Sequence, residues 1–332
     1  MQIANGFSGA VGNTPLIRIE SLSAATGCEI LGKAEHLNPG GSVKDRAARF
    51  MIEAAERAGT LGPGGVVVEG TAGNTGIGLA LMCRARGYRC VIVMPSNQSE
   101  EKISLLRVLG AEVELVPPAP FADSNNYYHR ARARADELGG FWANQFENPA
   151  NADAHFSTTG PEIWEQTSGG VDGFVCSSGT GGTIGGVTSY LKSRSSTVVT
   201  WVVDCGGSSL HSHVTKGTLD AEGSSFLEGI GIRRITKNFA MACLDGATRG
   251  SDAEATEMAH WLLRRDGLFV GGSAALNCVG AVRMARALGR GKTIVTILCD
   301  GGQRYQSRLF DAEWLDAQKV TPRHPEELTF VD

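Results

Sequence analysis

Three observations predict an α/β fold of two open, twisted, mostly parallel sheets flanked by helices. Strand-like apolar runs alternate with helix-period segments from residue 65 to 138. The alternation resumes after a polar, irregular stretch near residues 144–158. Glycines stand where the helical patterns stop, at Gly59, Gly87, Gly110 and Gly139. Such βα alternation is the mark of parallel sheets covered on both faces. At 332 residues, 42% hydrophobic and 20% charged, the chain is long enough for two packed domains.

In chain order, 15–20 and 29–35 read as short strands. Residues 43–58 place Val43, Ala47, Phe50, Met51, Ala54, Ala55 and Ala58 at helical spacing. The spacing predicts a strand at 65–69 and a helix at 74–86. A strand at 89–94 stops at Pro95, a helix follows at 98–109, and a strand at 111–116 ends at Pro117-Pro118. A helix at 125–138 completes the first run. The stretch 144–158 is expected to be a crossover, and Thr159 with Glu162 a capping box for a helix at 161–166. The second run is a strand at 173–177, a helix at 183–191 and a strand at 198–204. Residues 205–250, rich in Gly, Ser and Thr, show no clear period. Helices at 252–265 and 274–288, a strand-like 268–270 and a buried strand at 292–298 follow. The polar tail from 317, with two prolines, is expected to be loosely held. A smaller domain at 37–152 and a larger one from 1–36 and 153–332 are expected, with a ligand in the cleft between them, at the carboxyl ends of strands.

Composition narrows the function. A net charge of −4 gives no electrostatic case for nucleic acid or an anionic membrane. No run approaches the ~18 apolar residues of a membrane span. The first residues lack a basic region followed by an apolar core, so no signal peptide is expected. The eight cysteines form no Cys-x-x-Cys pair, and a reducing cytoplasm is the expectation. His211 and His213 have no third ligand nearby, so no metal is expected.

Five stretches could carry chemistry. Asn38-Pro39-Gly40-Gly41-Ser42-Val43-Lys44 brings a lysine to a helix start, where the positive end of the dipole opposes its charge. A solvated lysine would fit, and so would an amine kept neutral for Schiff-base chemistry. Thr71-Ala72-Gly73-Asn74-Thr75 joins a strand to a helix and suits an anion, or a plain βα turn capped by Asn74. Ser177-Ser178-Gly179-Thr180-Gly181-Gly182-Thr183 does the same as a phosphate cradle. A nicotinamide site on Gly179, Gly181 and Asp204 is the competitor, although Ile184 stands where its third glycine belongs. Ser273 before one helix and Asp300 after the last strand could face a ligand or cap turns.

Together these stretches resemble the cysteine synthase and cystathionine β-synthase family of fold type II pyridoxal-phosphate enzymes. Gly12-Asn13-Thr14-Pro15-Leu16, Asn144-Gln145-Phe146-Glu147-Asn148-Pro149, Thr158-Thr159-Gly160-Pro161-Glu162, Glu228-Gly229-Ile230-Gly231 and Arg304-Tyr305 match as well. The resemblance covers about residues 8–312 and lies nearest the cysteine synthase and cysteine desulfhydrase branches. It implies a fold like that of the tryptophan synthase β-subunit, and a homodimer. It implies pyridoxal 5′-phosphate held by Lys44, with Asn74 on the 3′-oxygen and Ser273 on the pyridine nitrogen. Gly179, Thr180, Gly181, Gly182 and Thr183 would take the phosphate. Thr71, Ala72, Gly73, Asn74, Thr75, Gln145 and Gly229 would face the amino acid substrate. The implied reaction is β-replacement on O-acetyl-L-serine by sulfide through an α-aminoacrylate. The alternative is β-elimination from L-cysteine to sulfide, pyruvate and ammonia. Ala72 stands where cysteine synthases usually carry serine, which removes one hydroxyl from the carboxylate loop. A lost hydrogen bond to a charged group costs ~1.5–3 kcal/mol unless another donor replaces it.

Overall fold

A computed structural model describes residues 3–332. Its strands are β1 (Leu16–Arg18), β2 (Glu29–Lys33), β3 (Val66–Gly70), β4 (Arg89–Pro95), β5 (Glu112–Val116), β6 (Phe141–Trp142), β7 (Gly173–Cys176), β8 (Val199–Asp204), β9 (Gly246–Arg249) and β10 (Thr293–Ile297). They form a four-stranded sheet in the order β5-β4-β3-β6 and a six-stranded sheet in the order β1-β2-β10-β7-β8-β9. All pairings are parallel except β1 with β2. The strands β3, β4, β7 and β10 are buried along nearly their whole length, as parallel strands covered on both faces must be. The helix Gly272–Leu288 is buried almost throughout and packs on the larger sheet beside the helix Asp252–Asp266. The latter starts with a full capping box between Ser251 and Glu254. No helix among the described residues is long and apolar enough to cross a membrane.

Four expectations change. The stretch 144–158 is not an irregular crossover beyond Pro149. Ala150–Ala154, a wide π turn at His155–Thr159 and Gly160–Gln166 run on as one continuous helical path. Thr159 therefore sits inside a helix (φ −61°, ψ −45°) and caps nothing; its hydroxyl meets His155 Nδ1 at 2.8 Å. The wide turn lies next to Pro161, which has no N–H to give a regular helix. The strand-like 268–270 makes only an isolated bridge, from Val270 to Gly301. The tail is held: Leu328 and Val331 are buried, and Arg286 donates to both of their carbonyl oxygens. Short elements escaped the sequence pattern, namely β6, β9 and the helices Glu20–Thr26 and Leu210–Lys216. They are too short to show a period.

The expected capping partner, Glu162, has a different task. Arg46 Nη1 and Nη2 donate to its two carboxylate oxygens at 2.6 and 2.7 Å, and Lys33 Nζ lies 2.7 Å from Oε2. Arg46 also pairs with Glu35 through Nε and Nη2, both at 2.7 Å. Thr14 donates to Glu35 at 2.7 Å, and Lys33 donates to the Thr14 carbonyl at 2.6 Å. Two cations thus meet two carboxylates between the 12–15 loop, β2, the helix Lys44–Arg57 and the helix Gly160–Gln166. Burial pushes the Glu35 carboxyl up, but the charge and hydrogen bonds of Arg46 outweigh it and hold it below the ordinary range. Removing one partner of such a buried network strands a charge, so Arg46→Ala is expected to destabilise the fold by on the order of 3–5 kcal/mol. Urea unfolding checks this; a loss below about 1 kcal/mol, typical of an exposed pair, would contradict it.

Glu69, at the carboxyl end of β3, is fully buried, and neither of its carboxyl oxygens has a hydrogen-bond partner among the described residues. Burial pushes its pKa up to about 8. An unfolded glutamate titrates near ~4.3, so the folded chain binds the extra proton between that pH and about 8. This contribution to stability is full below the unfolded value and is lost as pH rises through the folded one. Asp45, pushed up to about 7 by burial, acts in the same direction. Glu69→Gln is expected to flatten the fall in stability between pH 5 and 8 in urea titrations. A variant that keeps the wild-type slope would contradict the assignment.

Candidate active site

A cleft of about 1030 Å³ runs between the two sheets. Its walls come from the carboxyl ends of β3 and β7 and the loops that follow them. Lys44, Thr71, Ala72, Gly73, Asn74, Thr75, Gln145, Gly179, Thr180, Gly181, Thr183, Gly229 and Ser273 all line it. Of the candidate residues only Gly182 does not. It lies behind the cradle, where a Cβ would collide with Asn151 Oδ1.

Lys44 is the first residue of the helix Lys44–Arg57 and is half-buried, with its side chain at the cleft. Burial lowers its pKa from the ordinary lysine value; Cys299, Asp300 and Cys176 offset part of the shift. Cys176 and Cys299 also line the cleft, and burial pushes the Cys299 thiol up to about 11. Burial raises the Cys176 thiol as well.

The cradle opens the helix Gly182–Arg194. Its glycines are demanded by close neighbours. A Cβ on Gly179 would collide with the Gly229 carbonyl, and one on Gly181, at φ +90°, with the Phe239 backbone. Asn151 Nδ2 donates to Thr180 Oγ1 at 2.9 Å and to the Gln145 carbonyl at 2.8 Å, which ties the cradle to the segment carrying Gln145. Thr183 Oγ1 lies 3.2 Å from His155 Nε2. Burial holds His155 well below the ordinary histidine range, so it is neutral. Ser177 and Ser178 have buried hydroxyls with no hydrogen-bond partner among the described residues.

Across the cleft, the helix Asn74–Arg86 begins at the Thr71–Thr75 loop. Gly73 N–H donates to Thr71 Oγ1 at 3.2 Å, and Thr75 Oγ1 donates to Gln145 Oε1 at 2.6 Å. Asn74 Nδ2 donates to Asp300 Oδ2 at 2.6 Å, and Arg304 donates to Asn74 Oδ1. Ser273 is buried beside Cys299; Gly271, not Ser273, caps its helix. Further out, Lys102 and Arg308 both pair with Glu228 next to Gly229. Arg234 pairs with Glu147 and lies over the rings of Phe121, Tyr128 and Phe146 at 4.7, 5.6 and 5.1 Å.

The nicotinamide alternative loses its acid. Asp204 Oδ2 accepts the His211 N–H at 2.7 Å and Oδ1 the Cys205 N–H at 3.1 Å, so this carboxylate closes a turn. Among the described residues no cluster of His, Cys, Asp or Glu could hold a metal ion. The residues present do fit pyridoxal phosphate. An amine of lowered pKa, a glycine cradle on a helix N-terminus and two unpartnered hydroxyls suit a phosphorylated aldehyde. Residues not singled out in the sequence as cleft-lining include Cys176, Cys299, Arg234 and Arg308. Only their neighbourhood to the quoted motifs signalled them.

Comparison with known proteins agrees. The family model described as "Pyridoxal-phosphate dependent enzyme" matches residues 7–300. Cysteine synthase 1 of Neurospora crassa is 53% identical over 332 residues, which cover 98% of this chain and 88% of that protein. The cysteine synthase of Dictyostelium discoideum is 50% identical, with 99% and 90% covered. The crystal structure of an O-acetylserine-dependent cystathionine β-synthase from Helicobacter pylori superposes with a TM-score of 0.83 at 32% identity, covering 93% of this chain and 99% of that one. With its cradle, its cleft lysine and these relatives, the chain belongs to the cysteine synthase and cystathionine β-synthase family of pyridoxal-phosphate-dependent enzymes.

Proposed function

We propose that this enzyme makes L-cysteine by β-replacement, taking O-acetyl-L-serine as the activated serine and sulfide as the nucleophile. The observation that carries this is the placing of a lysine of lowered pKa between a glycine cradle and the Thr71–Thr75 loop in one cleft. Relatives named cysteine synthase, about half identical over nearly the whole chain, support the choice of reaction.

In this proposal Gly179, Thr180, Gly181, Gly182 and Thr183 hold the phosphate, Asn74 the 3′-oxygen, Ser273 the ring nitrogen and Lys44 the aldehyde carbon. When bound, pyridoxal phosphate supplies an electron sink that acidifies the substrate Cα–H. A serine hydroxyl at the ring nitrogen does not force it to stay protonated, as a carboxylate would, and this suits loss of a β-substituent. The first turn of the helix at Asn74 and the Thr71 hydroxyl face the substrate carboxylate. Thr75 is already committed to Gln145, so these two act as one unit. Once the substrate's amino group has displaced Lys44 from the aldehyde carbon, the freed Lys44 amine would take the Cα proton, acetate would leave Cβ, hydrosulfide would add there, and Lys44 would return the proton to Cα. A pKa below the ordinary lysine value keeps that amine able to accept. Without a hydroxyl at Ala72, the carboxylate relies on Thr71 and on backbone N–H groups.

The purified protein is expected to form cysteine from O-acetyl-L-serine and sulfide, and to carry a visible absorption that borohydride removes. Lys44→Ala is expected to lose both. Pyruvate released from L-cysteine, with no cysteine formed from O-acetylserine, would replace this proposal with β-elimination. Full turnover by Lys44→Ala would refute the role of the lysine.

A further inference from the structure

The cofactor-side asparagine is not free to turn. Its Oδ1 accepts from the Arg304 guanidinium, and its Nδ2 donates to the Asp300 carboxyl at 2.6 Å. Reversing the amide would set an NH₂ against a guanidinium and an oxygen against a carboxylate. Both contacts would be repulsive, so the neighbouring charges fix the orientation. A carboxamide nitrogen carries two hydrogens, and one goes to Asp300. The other remains the single donor that Asn74 can aim into the cleft.

Both neighbours are themselves held. Tyr305 O–H donates to the same Asp300 Oδ2 at 2.5 Å, and the Asp300 carbonyl accepts the Gly271 N–H at 3.1 Å. The Asp300 backbone bridges Ser42, two residues before Lys44. Arg304 also donates to the Gly40 carbonyl, and Gly41, at φ +81°, would put a Cβ 2.9 Å from Arg304 Nη2. The lysine loop is thus shaped around Arg304. Among the described residues Arg304 has no carboxylate within salt-bridge distance, although Asp45 and Asp300 both lie in its field.

We propose that Asp300 and Arg304 are positioning residues that lock the Asn74 carboxamide with one N–H directed at the cofactor's phenolic oxygen, coupling the lysine loop, the asparagine loop and the segment after β10. The proposal rests on the reading that the cleft holds pyridoxal phosphate with Asn74 at its 3′-oxygen, and it assigns to Asp300 and Arg304 a role that this reading does not require.

The test uses the cofactor-loaded protein and reads the position and pH titration of its visible absorption, together with the dissociation constant for pyridoxal phosphate. Asn74→Ala, Asp300→Asn and Arg304→Ala are expected to move the band in the same direction and to weaken binding by roughly tenfold or more. Arg304→Lys is expected to restore part of the shift. In an Asn74→Ala background, neither Asp300→Asn nor Arg304→Ala should move the band further, because the group they orient is gone. Shifts that add in that background, or a band indifferent to Asp300→Asn, would overturn the proposal. Circular dichroism shows which variants fold. Should Asp300→Asn fail to fold, Tyr305→Phe removes one of the two donors to Asp300 and must still move the band in the same direction; no shift would overturn the proposal. Wild-type protein that takes up no pyridoxal phosphate would instead overturn the reading of the cleft.

Discussion

The pairing of Arg46 with Glu35 and Glu162 is the interaction on which the rest of the site depends. It joins segments far apart in sequence: the 12–15 loop, β2, the lysine helix and the helix that leads into β7. Arg46 stands two residues after Lys44, and side chains at that spacing do not share a helix face. One side of the helix is therefore fixed into a neutral set of two cations and two carboxylates. The other side presents Lys44 to the cleft without a carboxylate partner. The same helix start holds one cation fully paired and another left poised to lose its proton.

The cleft is shaped by close approach more than by large side chains. Gly179 and Gly181 admit the backbones of Gly229 and Phe239, and Gly182 admits the Asn151 side chain. Asn151 then links the cradle to Gln145, and Gln145 to Thr75, so the glycine cradle and the Thr71–Thr75 loop are one hydrogen-bonded body. Farther out, the contacts are ionic and more exposed, as in Lys102 with Glu228 and Arg234 with Glu147. A firm floor and a looser rim suit a site that fixes a cofactor and admits small reactants.

Much of this was legible in the chain because parallel strands and their helices are long and periodic. The expected strands at 65–69, 89–94 and 173–177 lie within two residues of β3, β4 and β7 at each end. The candidate site residues were legible because loops at strand ends carry small and polar residues for a reason. The errors have physical causes. Thr159 and Glu162 have the spacing of a capping box, but spacing cannot reveal that Glu162 is claimed by Arg46 from 116 positions away. Asp204 looked like a ribose ligand and instead closes a turn onto His211. The polar tail hides two apolar residues, Leu328 and Val331, that pack onto the core. Long-range partners of charged side chains leave no local pattern.

The central claim is that burial at the cleft floor keeps the Lys44 amine ready to act as a neutral base, while Arg46 two residues on stays charged and paired. The direct measurement is the pKa of Lys44 in the cofactor-free protein, from the pH dependence of its ¹³C-methylated amine signal in NMR, assigned with Lys44→Arg. The account predicts titration below the ordinary lysine value. Titration at or above that value would contradict it.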